Sequence, residues 1–250
     1  MEIGPDGIVY AGDDHGRIAI IEDGKTSFVQ AHDAGVKKIA LDLRKGILVA
    51  LSYDRSISVW RVGGPQRLQE LGGSALPESI WARAATVLDD GRIATGTFGS
   101  TYAVFDPQTS TWDLEGVAAG NAVNAVLNVN NRTYAVGDAG VVSIDGTPTA
   151  RMGSLCNFLV AAGARVLTGG HMGQLFDTDT GEVLYEHHSP LNCGVAFPRQ
   201  GRDSCSHRFY TRCSGHVGWA DSEWWAHYPR SLAFPNHEPV QPRPHSAAQL

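Results

Sequence analysis

One hairpin written five times constrains this chain more than anything else in it. Each copy begins at a Gly, Asn or Ala, runs through an apolar stretch ending in small residues, turns on Gly or Asp, and returns through a second apolar stretch. The copies start at Gly7 (GIVYAGDDHGRIAIIED), Gly46 (GILVALSYDRSISVWR), Gly91 (GRIATGTFGSTYAVFD), Asn131 (NRTYAVGDAGVVSID) and Ala164 (ARVLTGGHMGQLFD). β-Branched and apolar residues bounded by such turns predict paired strands. The copies lie roughly 33 to 45 residues apart, as expected of stacked repeats that each bury a face on the next.

Two more strands are expected in each unit. An outer one follows the hairpin, as in KTSFVQ from Lys25, STWDL from Ser110 and EVLYE from Glu182. The turns before the last two, DPQTS and DTDTG, carry residues that favour tight reversals. An inner strand comes next: VKKIAL from Val36, SIWARAATVL from Ser79, AVNAVLNV from Ala122, SLCNFLVA from Ser154 and LNCGVAF from Leu191. Gly and turn pairs interrupt the chain too often for long helices. The 250 residues are 42% hydrophobic and include 29 Gly, enough apolar material for a large core and many turns.

The stretch from His32 to Trp60 carries the most specific signal. It places His32 before an inner strand, Ser52 at the end of the next strand, Asp54 in the turn and Trp60 on the third strand. This pattern resembles one blade of the WD40 β-propeller family. The resemblance covers about residues 7–198 as a degenerate array, and only the second unit has the full set. It implies an all-β fold: a β-propeller of about five four-stranded WD40-like blades, incomplete or imperfectly closed, followed by an irregular C-terminal tail. It also implies that His32, Ser52, Asp54 and Trp60 form a buried hydrogen-bonded tetrad. Both nitrogens of a buried imidazole need partners, so these residues are read as structural and not as a hydrolytic triad. The first unit shows no inner strand of its own and Leu191 to Phe197 no following hairpin, so the two ends could complete one another.

Two parts are therefore expected, repeats over 1–201 and a Pro-, His- and Trp-rich tail over 202–250. The tail holds Cys205, His207, Cys213 and His216, which are zinc-ligand types. Their C-x-H-x5-C-x2-H spacing lacks the usual C-x2-C knuckle, and no metal or other cofactor is expected. Four Cys in the whole chain suit a reducing compartment, and with no signal-like N-terminus the cytoplasm is expected. A net charge of −6 disfavours nucleic acid, and no apolar run is long enough for a membrane span.

The inner strands bring polar side chains toward the mouth of a central channel: Trp81, Arg83, Asn124, Cys156, Asn157, Asn192 and Cys193. Such a ring could bind a peptide or small polar ligand; the same Asn and Cys could instead satisfy backbone groups between blades. A nucleophilic Cys156 or Cys193 would need a base and an electropositive setting. Exposed Tyr53, Phe98 and Trp112 could anchor a partner. The expected function is a non-catalytic platform that binds a protein or peptide on the propeller face, with neither nucleic acid nor membrane as partner. An enzyme or small-ligand receptor at the channel mouth, or an inactive truncated relic, are the alternatives.

Overall fold

The computed structural model describes residues 1–4, 7–99, 101–117, 120, 122–198, 207–213 and 216–221. Five antiparallel sheets of four strands follow one another along the chain, each in simple up-and-down order. Blade one has strands Glu2–Ile3, Val9–Gly12, Arg17–Glu22 and Lys25–Gln30. Blade two has Val36–Asp42, Ile47–Ser52, Ser56–Val62 and Leu68–Ala75. Blade three has Ala84–Val87, Ile93–Gly96, Tyr102–Asp106 and Thr111–Asp113. Blade four has Val123–Val129, Arg132–Gly137, Val141–Ile144 and Thr147–Arg151, and blade five Cys156–Ala162, Arg165–Gly170, Gln174–Asp177 and Val183–Glu186.

The two ends differ from expectation. Blade one does have an inner strand, the two residues Glu2–Ile3 paired with Val9–Tyr10. Two residues carry too little periodicity to be read as a strand. Beyond blade five, Gly194–Pro198 pairs with His207–Cys213, which pairs with His216–Asp221, giving a three-stranded sixth sheet. The hairpin that the sequence reading did not find after Leu191 to Phe197 is therefore present. The ladder of Gly194–Pro198 is with its own sheet, and not with Gly7 to Gly12. Of the residues of zinc-ligand type in the expected tail, Cys205 lies outside the described residues; Cys213 and His216 are register partners in the last ladder. Residues 222–250 of the expected tail also lie outside them.

Radial stacking explains why the hairpin strands read as unbroken apolar runs. Successive side chains on a strand point to opposite faces, and here both faces are covered. In Ile47–Ser52, Leu48 and Ala50 pack with Ile18, Ile20 and Tyr10 of blade one. Val49 and Leu51 point the other way, onto Val87, Ile93 and Phe105 of blade three. The same division continues: Ala84 meets Val123 and Val126, Val136 and Met152 meet Cys156 and Phe176, and Phe158 and Leu167 meet Leu191. Packing between blades is concentrated in the first strands, blade one on two through to blade five on six, as wedges around an axis require.

The turn between second and third strands is also repeated in its backbone. Gly16, Arg55, Gly140 and Gly173 all have positive φ. The carbonyl of each accepts an N–H from the chain leading to the next blade: Ala31, Leu76, Met152 and His187, at 2.7–3.0 Å. A Cβ on Gly173 would lie 1.9 Å from the His187 carbonyl oxygen, so glycine is required there. Of these four, Arg55 is the one with a side chain, at φ 64°.

Candidate functional site

In blade two, Ser56, Ser58 and Trp60 alternate along one face of the third strand, Asp54 lies in the turn before it, and His32 meets them there. The Trp60 indole N–H donates to Ser58 Oγ at 2.7 Å, and Ser58 Oγ lies 2.8 Å from His32 Nε2. On the other side of the ring, His32 Nδ1 is 2.6 Å from Ser56 Oγ, which donates to Asp54 Oδ1 at 2.5 Å. The donors settle the tautomer. Ser56 has spent its proton on Asp54, so it accepts from His32 Nδ1–H. Ser58 accepts from Trp60, so it donates to His32 Nε2. The chain runs Trp60 to Ser58 to His32 to Ser56 to Asp54, one proton per link, ending on a carboxylate.

This corrects the expected tetrad in one member. The hydroxyl between His32 and Trp60 belongs to Ser58, not Ser52. Ser52 Oγ bonds the carbonyl of Ala34 at 2.9 Å and accepts the Asp54 N–H at 3.1 Å, so it shapes the turn beside the network. The period-two run of Ser56, Ser58 and Trp60 was the signal for it. Burial holds the His32 imidazole below its ordinary pKa of 6.5, outweighing the pull of Asp54 toward the charged form. A neutral ring is what the chain of donors needs. Ser58→Ala strands the Trp60 N–H and the His32 acceptor, and should cost about 1–3 kcal/mol, against about 1 for Ser52→Ala. Urea denaturation of the two variants checks this; equal or reversed losses would remove Ser58 from the network.

Among the proposed channel-mouth residues, Asn124 and Asn157 reach toward the next blade. Asn124 and Asn157 sit at register shifts in the first strands of blades four and five. Each donates across a seam, Asn124 Nδ2 to the Cys156 carbonyl at 3.1 Å and Asn157 Nδ2 to the Leu191 carbonyl at 3.5 Å and to Asn192 Oδ1 at 3.4 Å; Asn124 Nδ2 also donates to Asp138 Oδ1 of its own blade at 2.8 Å. Lys37, at the matching shift in blade two, reaches the Ala82 carbonyl of blade three at 2.7 Å. These side chains join neighbouring blades. Cys156 is fully buried, turned into the seam by the bulge at Asn157. Its thiol bonds the Ser154 carbonyl, and burial raises its pKa, the opposite of an activated nucleophile. Asn192 and Cys193 are exposed.

A different group of side chains gathers at the same end of blades two and three. Tyr53, Trp81 and Phe98 are 60%, 39% and 53% exposed. The Lys37 ammonium lies 5.0 Å from the Trp81 ring centre and 5.7 Å from that of Tyr53. The guanidinium of Arg55 is 5.8 Å from Trp81, and that of Arg83 is 4.7 Å from Phe98. Trp112 is not among them: it is half-buried, 5.0 Å from the Phe105 ring. Lys37 and Arg55 were missed as candidates. They come from a bulge and a turn of blade two, and only the register brings them to Trp81.

No family model matches the chain, and no curated protein matches it in sequence. Solved structures do match its fold. A chain of the mitotic checkpoint complex aligns with a TM-score of 0.68 at 14% identity, covering 87% of this chain and 72% of that one. The WD40 repeats of RRP9 align at 0.64 and 17%, covering 84% and 71%. The structure of U3-55K gives the same TM-score and identity, covering 84% and 72%. With five four-stranded antiparallel sheets, the fold is that of a WD40-like β-propeller.

Proposed function

We propose that this chain is a non-catalytic platform that docks a protein or peptide partner on the propeller face, with the cytoplasm as its place of work. The observation that carries the reading is the exposed group of Tyr53, Trp81 and Phe98 at one end of blades two and three. Rigid aromatic side chains that remain at a surface are the residues that most often anchor a partner. The polar inner-strand residues support the same reading by being committed elsewhere, Asn124 and Asn157 across seams and Cys156 within one. WD40 propellers as a class serve in assemblies, and one similar structure is that of a complex. Nucleic acid and membrane surfaces are left out of this reading on the strength of the net charge of −6.

Affinity capture from native lysate, with wild type and Trp81→Ala compared side by side, tests it. A specific partner should be retained by wild type and reduced roughly tenfold by the variant, as truncation of a central aromatic anchor does. Failure of folded wild type to retain any specific partner would sink the platform reading.

A further inference from the structure

We propose that the face formed by Tyr53, Trp81 and Phe98 with Lys37, Arg55 and Arg83 takes a carboxylate-rich peptide segment of a partner protein. This rests on the platform reading and adds the chemistry of the occupant.

The cations of this face are incompletely paired. Among the described residues neither Lys37 nor Arg55 makes an ion pair, and Arg83 has only the Asp138 carboxylate at 3.9 Å. That carboxylate also accepts from Asn124 at 2.8 Å. Asp54, next to Tyr53, is occupied by Ser56, the Asp33 N–H and His32. Lys37 is partly buried, and the charge bearing on it is that of Arg83, also positive; desolvation and this repulsion both lower its pKa. A cation drawn out of water beside a like charge gains from an anionic ligand what no carboxylate among the described residues supplies to it through an ion pair.

The backbone of Arg55 is a second, independent sign. Gly16, Gly140 and Gly173 hold the equivalent position in other blades, where left-handed backbone costs glycine nothing. Arg55 adopts φ 64° with a full side chain, a conformation that residues with a Cβ disfavour. What it brings is a guanidinium at the Trp81 ring, held by carbonyl oxygens of Pro77 and Glu78 at 3.1 and 3.0 Å. No hydrogen bond from its Nε or Nη1 is found among the described residues.

The aromatic faces would equally suit stacked bases, but the rest of the chain argues for a short acidic segment. Three cations on a protein of net charge −6 match a few carboxylates and not a continuous phosphate backbone.

Fluorescence anisotropy with a short fluorescein-labelled peptide alternating Glu and Phe tests the proposal directly. The controls are the matched Gln–Phe peptide and an oligothymidine of similar length. The Glu peptide should bind roughly tenfold or more tightly than the Gln peptide, lose that advantage in Lys37→Glu/Arg83→Glu, and weaken as salt is raised. Thermal unfolding of the double variant shows whether its loss reflects the face or the fold, and Arg55→Gly, which relieves the backbone, serves as a second folded variant. Equal binding of the Glu and Gln peptides, or a folded double variant that still prefers the Glu peptide, would overturn the proposal, and tighter binding of the oligothymidine would replace it with single-stranded nucleic acid. A native partner captured by wild type and retained fully by the folded double variant would leave the platform standing and remove this face from it.

Discussion

Phe105→Ala is expected to destabilise the protein by about 3–5 kcal/mol, the largest loss of any single substitution considered. The Phe105 side chain is fully buried in the seam between blades two and three, with Val49, Val59, Val87 and Ile93 around it and Trp112 against its ring. Removing it forfeits burial of a whole aromatic side chain and leaves a cavity. The cavity is flanked by strands whose ladders continue on both sides, so the walls cannot collapse far. Urea denaturation is the measurement. The midpoint should fall without a large change in slope, because the surface exposed on unfolding is nearly unchanged. Phe105→Leu, which refills most of the volume, should recover more than half of the loss. A loss below about 1 kcal/mol for the Ala variant would mean that this seam is not packed as described.

Substituting His32 should produce the second-largest effect, and with it a change in the dependence on pH. The ring joins two hydroxyls that have no other way to complete the chain from Trp60 to Asp54. His32→Ala takes one hydrogen-bond partner from each hydroxyl, leaving Ser56 only Asp54 and Ser58 only Trp60, and opens a cavity, at a cost of about 3 kcal/mol. The wild-type pH profile follows from the direction of the shift. Burial lowers the folded-state pKa of His32 below the ordinary 6.5, so between these values the unfolded chain holds more protons than the folded one. Stability contributed by His32 is therefore complete above about pH 6.5 and is lost as pH falls toward the folded-state value. Asp54, whose hydrogen bonds hold its carboxyl below the usual 3.8, adds a loss of the same sign at lower pH. Thermal melting between pH 7.5 and 5.5 should show the wild-type midpoint falling on acidification, and His32→Asn, though less stable, falling less. A wild-type midpoint that rises over that interval would contradict a neutral His32.

The comparison of sequence with structure turns on how far apart the informative residues lie. The hairpins were legible because a strand covered on both faces leaves a run such as Leu48 to Leu51, and the turns between them are marked by Gly and Asp. His32, Asp54 and Trp60 were legible as a pattern, but the choice of Ser52 over Ser58 ignored the alternation along Ser56–Val62, which puts Ser58 on the face of Trp60. The seam-crossing roles of Asn124, Asn157 and Lys37 depend on single-residue shifts in register. Nothing in local composition announces such a shift. The same shifts decide that Cys156 is buried while Asn157 reaches outward. The surface group around Trp81 was only half legible. Tyr53, Phe98, Trp81 and Arg83 were singled out separately, but their meeting with Lys37 and Arg55 is made by the packing of two blades.

The bulge side chains have a direction. Lys37 on blade two, Asn124 on blade four and Asn157 on blade five each donate to a carbonyl of the blade that follows. For a chain made from its N-terminus, the donor of each such pair exists before its acceptor. At these three seams the newly emerged wedge thus meets a hydrogen-bonding hook already presented by its predecessor, and assembly there can ratchet forward in the order of synthesis.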